Sequence, residues 1–480
     1  MKKIIVIAIF ILALGLRVYK LSLSPPGLYA DEASIGYNAY SILKTGKDEH
    51  GVAWPIFFQA FGDYKNPVFI YSLAPLIKLN GLKPETIRLG AAIWGSLAIP
   101  LLMAVAWAAT ANFTLSCLAG VVLALMPWHL HYSRLGFEAI TLPTLMLLSL
   151  WLFLKWLKNK KILAGIALAL SLFLMFYSYT TARLWMPLLG LILLILFRKQ
   201  RLSLTKKIVV FDSLLIMFLP LLIWLRQFPD SLTARMNQIA IWADKPPLQK
   251  MWQRFWSTYA GHFTFSWLFS RGDTTIRHSS GISSEMLLSF APWLIIGLIM
   301  LIKQCRKQPF WQLTLIMIGL FPLAAALTQT SPIATRTLQA TPFFSLAIAW
   351  GIIKLKKPLL IILALIIIGL EFGRYYRDLI YFYPKRVSQP WDGFDSQLGP
   401  AIKTAYQKSQ EQKKPLFLSS KIEQAYIQGL FFTQADPRLW QTKHQTPFTV
   451  AKFKAVKAGE IWVITRDECP QKDKDYCVLF

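Results

Sequence analysis

Apolar residues gather in runs about as long as a bilayer is thick, and short polar segments separate them. A spanning helix takes about 20 apolar residues, with a range near 17–25. Runs at 4–21, 86–108, 112–128, 139–157, 162–177, 185–197, 208–225, 287–302, 310–327, 338–353 and 358–372 predict about eleven transmembrane helices. The shorter runs need their neighbours, or little tilt, to span. Between residues 22 and 85 the pattern changes. Ile35, Ala39, Ile42 and Leu43 recur at helical spacing over Ser34–Thr45, with Gly46 as a stop. This predicts a helix lying flat in the interface on its apolar side. A second amphipathic stretch lies within "FGDYKNPVFIYSLAPLIKL" (Phe61–Leu79). After residue 372 the segments "KPLFLSS", "PFTVAKF" and "GEIWVITRD" alternate as strands do, and "IEQAYIQGLFF" reads as a helix. The fold class is therefore an α-helical integral membrane protein over 1–372, carrying a small C-terminal α/β domain over 373–480.

Charge orients the spans. With Lys2 and Lys3 in the cytoplasm, the inner loops are "KNKK", "RKQRLSLTKK", "KQCRKQ", "KLKK" and a tight turn near Thr110–Asn112. Four of these five are basic and free of acids, as the positive-inside rule requires. The long segments Ser22–Glu85 and Arg226–Glu285, and the C-terminal domain, then lie outside. The N-terminus "MKKIIVIAIFILALGLRVYKL" has the charge and apolar core of a signal peptide. Arg17 and Lys20 interrupt the region after that core, and no small-x-small cleavage site is present, so it reads as an uncleaved first helix. The location is a cell membrane, multi-pass, with the N-terminus cytoplasmic and the C-terminal domain extracytosolic.

Composition agrees with the pattern. Of 480 residues, 55% are hydrophobic and only 16% charged, against about 25% charged in soluble domains. The net charge of +28 would suggest nucleic acid on a soluble protein. Here the cations belong to cytoplasmic loops, and no basic face survives for nucleic acid. Cys469 and Cys477 could pair in an oxidising compartment, although spacing alone does not set their geometry. The spans hold almost no ionisable residues, and no internal repeat is visible. Both features speak against a carrier. A structural anchor would need one helix rather than eleven. Chemistry is expected at the outer membrane–water boundary.

Five clusters lie there. In "YADEASIGYNA", Asp31 and Glu32 stand just ahead of the first interfacial helix. An acid there can cap a helix N-terminus, or it can stand at a cavity mouth as a general base. Asp63, Tyr64 and Lys65 precede Asn66-Pro67, and Lys65 is either a snorkelling lysine or a cation for an anionic lipid head. In "HLHYSRLGFEAI", Arg134 and Glu138 are four apart. They read as an ion pair on one helix face, or Glu138 joins the cavity of Asp31. His129 and His131 are two apart, do not face each other on a helix, and have no further ligand cluster nearby, which favours interfacial polar residues beside Trp128 over zinc. Tyr179 and Arg183 in "YSYTTARLW", and Arg336 in "SPIATRTLQATP", are helix-end anchors or phosphate-binding groups.

These motifs resemble the GT-C superfamily of polyprenyl-phosphate-sugar-dependent glycosyltransferases, among the bacterial relatives of protein O-mannosyltransferases and lipid A aminoarabinose transferases. The resemblance covers most of the chain and rests on "YADEASIGYNA", "GDYKNPVFIYSL", "SRLGFEA", "YTTARL" and the outer C-terminal domain. It implies spanning helices, interfacial helices in the first outer loop and an outward-facing cavity. It also implies inverting transfer of a sugar from a polyprenyl-phosphate donor to an acceptor lipid, glycan or protein. Asp31 matches the catalytic acid, Glu138 the second-loop carboxylate, Lys65 a phosphate-contacting lysine, and Arg336 more loosely another. Glu138 stands where many relatives have Asp. Glu32, Asp63, Tyr64, Arg134, Tyr179 and Arg183 would support the cavity. Asp31 and Glu138 permit a divalent metal without requiring one. A lipid-linked oligosaccharide ligase or polymerase is the rival reading, and a lipid-linked sugar flippase a further one.

Overall fold

The structure is a computed structural model that describes residues 1–198, 204–329, 332–354, 358–388, 394–412, 416–418, 422–441, 456–458, 461–463 and 477–478. Each of the eleven apolar runs coincides with a helix. Six helices are long and apolar enough to cross a membrane: Pro84–Thr110, Glu138–Asn159, Lys207–Gln227, Leu288–Cys305, Pro309–Ala326 and Pro358–Tyr381. Phe113–Leu125, Ile162–Phe176 and Ala182–Leu196 are shorter apolar helices. Lys2–Val18 and Thr341–Ile353 cover the two remaining runs. The uncharged turn near residue 111 is held locally. Ala111 takes a left-handed φ of 55°, and the Asn112 side chain caps the next helix by accepting the Leu115 N–H at 3.0 Å.

The chain forms two compact units. The span-rich unit holds Met1–Tyr19, Ala91–Arg134 and Glu138–Leu379; the second holds Lys20–Gly90, Leu135–Phe137 and Ile380–Phe480. In the span-rich unit, Thr341–Ile353 is buried on every side, as expected of a helix apolar all round. It meets Ala291–Cys305 backbone to backbone. A Cβ on Gly297 would strike the Ala347 carbonyl, and one on Gly351 the Trp293 carbonyl. Small residues that permit such approach are the usual means of helix association in lipid. By contrast, only 11% of the apolar window in Lys207–Gln227 is buried, which leaves its Phe211, Leu215, Leu219 and Leu222 outward-facing.

The second unit is built around Ala30–Thr45. This helix starts four residues earlier than its apolar spacing predicts, so Asp31 and Glu32 occupy its first turn rather than preceding it. The Tyr29 N–H donates to Glu32 Oε2 at 3.3 Å, half of a capping box, and Gly46 ends the helix with φ 69°. Nor does the helix have a single apolar side. Ala33, Ser34, Gly36, Tyr37, Asn38, Ala39 and Ser41 are all buried. The expectation of a helix with one buried apolar side is corrected: small residues let neighbours close over most of it, notably Pro67–Asn80 and Ala425–Thr433, and leave Leu43 and Lys44 exposed. Further along, Leu416–Leu418 pairs in parallel with Ile461–Val463 and Cys477–Val478, and Val456–Ala458 pairs antiparallel with Ile461–Val463. The expected strand "PFTVAKF" and the pairing of Cys469 with Cys477 fall outside the described residues.

Candidate active site

In the second unit, a hairpin delivers Lys65 to Asp31. Phe58–Ala60 and Asp63–Lys65 pair antiparallel, with Ala60 opposite Asp63. Phe61 and Gly62 form the two-residue turn, both at positive φ (55° and 74°), the backbone twist that suits a tight hairpin. Asp63 Oδ1 accepts the Tyr64 N–H at 2.7 Å, so this acid serves its own turn. Lys65 ends the strand, and its Nζ lies 2.6 Å from Asp31 Oδ1. The Asp31 side chain remains 28% exposed and that of Lys65 16%, so the pair is reachable from solvent.

Glu32 behaves oppositely and corrects its expected place in the cavity lining. It is fully buried and grips Arg88 bidentately, Nε to Oε1 at 3.0 Å and Nη2 to Oε2 at 2.9 Å. Gly136 N–H adds a 2.7 Å bond to Oε1. Arg88 spends its other donors on the carbonyls of Leu21, Pro25 and Gly27. One acid of the pair is partly exposed beside a flexible-stemmed cation, while its neighbour is locked in a buried fork. Arg88 escaped the sequence reading because nothing local marks a partner 56 residues away.

Glu49 is a second residue missed there. It is fully buried; Oε1 accepts the Asn38 Nδ2–H at 3.0 Å, and its own N–H donates to Asn38 Oδ1. Oε2 has no hydrogen-bond partner. Burial pushes this carboxyl from 4.5 up to about 7; His50 and Asn38 oppose the shift and Asp48 adds to it. The folded chain therefore holds a proton on Glu49 that the unfolded chain has lost, so stability falls as pH rises from about 4.5 to 7. Glu49→Gln should remove that slope and raise the thermal midpoint at pH 8 but not at pH 4, an effect approaching about 3 kcal/mol. Parallel melts of both proteins across pH would expose the error if the curves ran together.

Glu138, Arg134, Tyr179, Arg183 and Arg336 belong to the span-rich unit. Arg134 and Glu138 do not share a helix face: the helix Pro127–Tyr132 stops before them, and Glu138 opens a separate 3-10 turn, Glu138–Ile140. Arg134 is buried and donates to the carbonyls of Leu16, Arg17 and Tyr19 at 2.9–3.2 Å. It thus holds the C-terminal end of the first helix, where cations are favoured, rather than a cavity wall. Trp128, His129 and His131 are buried, not interfacial. His129 Nδ1 meets Arg17 at 3.0 Å, and His131 Nε2 donates to the Arg277 carbonyl at 2.8 Å. Burial holds His131 down to about 4, so its ring is neutral. Among the described residues no group of three or more His, Cys, Asp or Glu could hold a metal ion.

Arg183 Nη1 donates to the Leu232 carbonyl at 2.9 Å, tying down the start of the long segment 226–285. Arg336 is largely buried and bonds Thr328 Oγ1. Burial and the nearby Arg235 lower its pKa, while Tyr179, Asp273 and Tyr132 favour its charge. Tyr179 and Arg336 are therefore brought into one electrostatic neighbourhood. Asp273 anchors it. Burial alone would raise this carboxyl, but His278 Nδ1 at 3.2 Å and the N–H groups of Ala334 and Thr275, both at 2.8 Å, hold it below its ordinary value. Burial and the charge of Asp273 push Glu285 well above the carboxylate range.

No protein-family model matches the sequence, and no curated protein sequence matches it. Solved structures do. The archaeal oligosaccharyltransferase AglB from Archaeoglobus fulgidus, in complex with an inhibitory peptide and a dolichol-phosphate, aligns over 90% of this chain with a TM-score of 0.57 and 12% identity. ArnT from Cupriavidus metallidurans, bound to undecaprenyl phosphate, aligns over 89% with a TM-score of 0.57 and 14% identity. Both are GT-C glycosyltransferases. The chain has the GT-C fold. It spans 84% of the length of ArnT but only 63% of that of AglB.

Proposed function

We propose that this chain is a membrane glycosyltransferase. It moves a sugar from a polyprenyl-phosphate donor to an acceptor hydroxyl on a lipid, glycan or protein at the outer face of a cell membrane. The observation that carries the reading is the partly exposed Asp31–Lys65 pair, set on the first turn of a buried helix beside a structural Glu32. The GT-C fold supports it. The acceptor oxygen attacks the anomeric carbon as its O–H proton passes to Asp31. The bond from that carbon to the donor phosphate oxygen breaks, configuration inverts, and the lipid phosphate departs with the electron pair. A phosphate leaving group is a weak base, so it needs cations more than a proton. Lys65 is assigned that role. A glycoside hydrolase would require a second carboxyl acting as acid.

The 2.6 Å ion pair supplies an ordering. While Lys65 holds Asp31, the carboxylate is a poor base. When an anionic donor draws the ammonium away, Asp31 is released to accept a proton. Turnover then occurs only after the donor is bound. Lys65→Met should weaken donor binding and lower kcat/KM by about 10²–10³-fold, the usual loss for one charge-stabilising donor. Assays over a donor concentration series would separate the two effects, and an unchanged KM would remove Lys65 from the phosphate site.

The decisive test offers purified protein a panel of radiolabelled polyprenyl-phosphate monosaccharides and oligosaccharides. Release of free lipid phosphate from a monosaccharide donor supports the transferase. Turnover of oligosaccharide donors alone supports a ligase, and turnover of neither refutes both.

A further inference from the structure

The helix Leu248–Gly261 lies in the second long outer segment and takes no part in the proposed chemistry. Leu248, Trp252, Phe255, Trp256 and Tyr259 recur at i, i+4, i+7, i+8 and i+11, which puts them on one face. The opposite face carries Lys250, Gln253, Arg254 and Ser257. Among the described residues, protein meets this apolar face at its C-terminal end. Tyr259 Oη donates to the Gly319 carbonyl at 2.5 Å, and the Phe263 and Phe321 rings stand 5.0 Å apart. His262 closes this end, accepting the Ile333 N–H at 3.1 Å. Towards the N-terminus the same face continues uncovered: Leu248 is 67% exposed, Trp252 53% and Trp256 56%.

We infer that this face is seated in the headgroup–acyl boundary of the outer leaflet, so that the helix is a monotopic lipid anchor. Three observations single out lipid as the occupant. Gly319 lies past the middle of the apolar span Pro309–Ala326, which puts this end of the anchor in the half of the bilayer away from the basic loop Lys303–Gln308. The spans that precede and follow it in the chain, Lys207–Gln227 and Leu288–Cys305, have only 11% and 22% of their apolar windows buried, so the segment that carries this helix is tethered at both ends to lipid-facing helices. The side-chain chemistry also fits. Tryptophan prefers the membrane–water interface, and the polar face offers Lys250 to anionic headgroups. The level assigned to Gly319 rests on the orientation used for the proposed function, but a measurement of depth depends on neither turnover nor sidedness.

The test places single cysteines at Trp252→Cys, Trp256→Cys and Gln253→Cys in a full-length chain whose own four cysteines are replaced. Each variant is labelled with an environment-sensitive fluorophore and reconstituted in phosphatidylcholine–phosphatidylglycerol vesicles bearing spin labels at a shallow or a deep acyl position in both leaflets. Labels at 252 and 256 should lose fluorescence to the shallow lipid quencher and resist aqueous iodide, consistent with a depth of about 5–10 Å. The label at 253 should show the reverse. Iodide quenching at all three sites would overturn the inference. So would shielding of 252 and 256 from both quenchers, the signature of a protein partner, or preferential quenching by the deep label.

Discussion

Asp31→Asn should lower sugar transfer by about 10²–10⁴-fold, the range a general base contributes, while the protein melts close to wild type. The amide keeps the shape of the side chain but cannot take the acceptor proton. Because Asp31 is partly exposed and its partner Lys65 is too, loss of their ion pair removes little stability: exposed pairs are worth about 0–1 kcal/mol. The variant should still bind the donor, since Lys65 is retained. Single-turnover assays with labelled donor would check this. A variant retaining a third of wild-type activity would exclude Asp31 as the base.

Glu32→Ala should do the reverse. It leaves the buried Arg88 without its carboxylate and the Gly136 N–H without an acceptor. Breaking a buried ion pair from one side costs about 3–5 kcal/mol, enough to lower the thermal midpoint sharply in detergent and reduce yield. Arg88→Lys should also be damaging, because an ammonium cannot supply the planar fork that spans both carboxylate oxygens. Glu32→Met combined with Arg88→Met should recover part of the loss, since apolar replacement of a whole buried pair is often neutral. If Glu32→Ala melted with wild type, the buried fork would not be what holds the second unit. Adjacent acids, one substitution each, thus separate rate from fold.

The spans were legible because lipid imposes a local requirement: about 20 apolar residues with every backbone group satisfied within the helix. No distant partner is needed to see it. Asp31 and Lys65 were legible for a similar reason, since each sits beside a visible turn signal. The residues misjudged share a different property. Glu32, Arg134, His129 and Trp128 are polar or amphipathic, sit near helix ends, and look solvent-facing from spacing alone. Their partners, Arg88, the carbonyls at 16–19, Arg17 and the Ala334 carbonyl, lie 56 to 206 residues away. Burial of such groups depends on tertiary closure, which periodicity does not encode. Ala30–Thr45 was misread because alanine, serine and glycine are neutral in a hydrophobic pattern yet pack on any side.

The guanidinium of Arg88 has a consequence for synthesis. It collects the carbonyls of Leu21, Pro25 and Gly27 as well as Glu32. The ribosome makes those acceptors first and the donor 61 to 67 residues later. The chain just past the first membrane helix therefore has to wait, its oxygens hydrated, until the start of the next membrane helix emerges to gather it. An early nascent chain truncated before Arg88 should be open to protease at residues 20–28, and a slightly longer one should be closed.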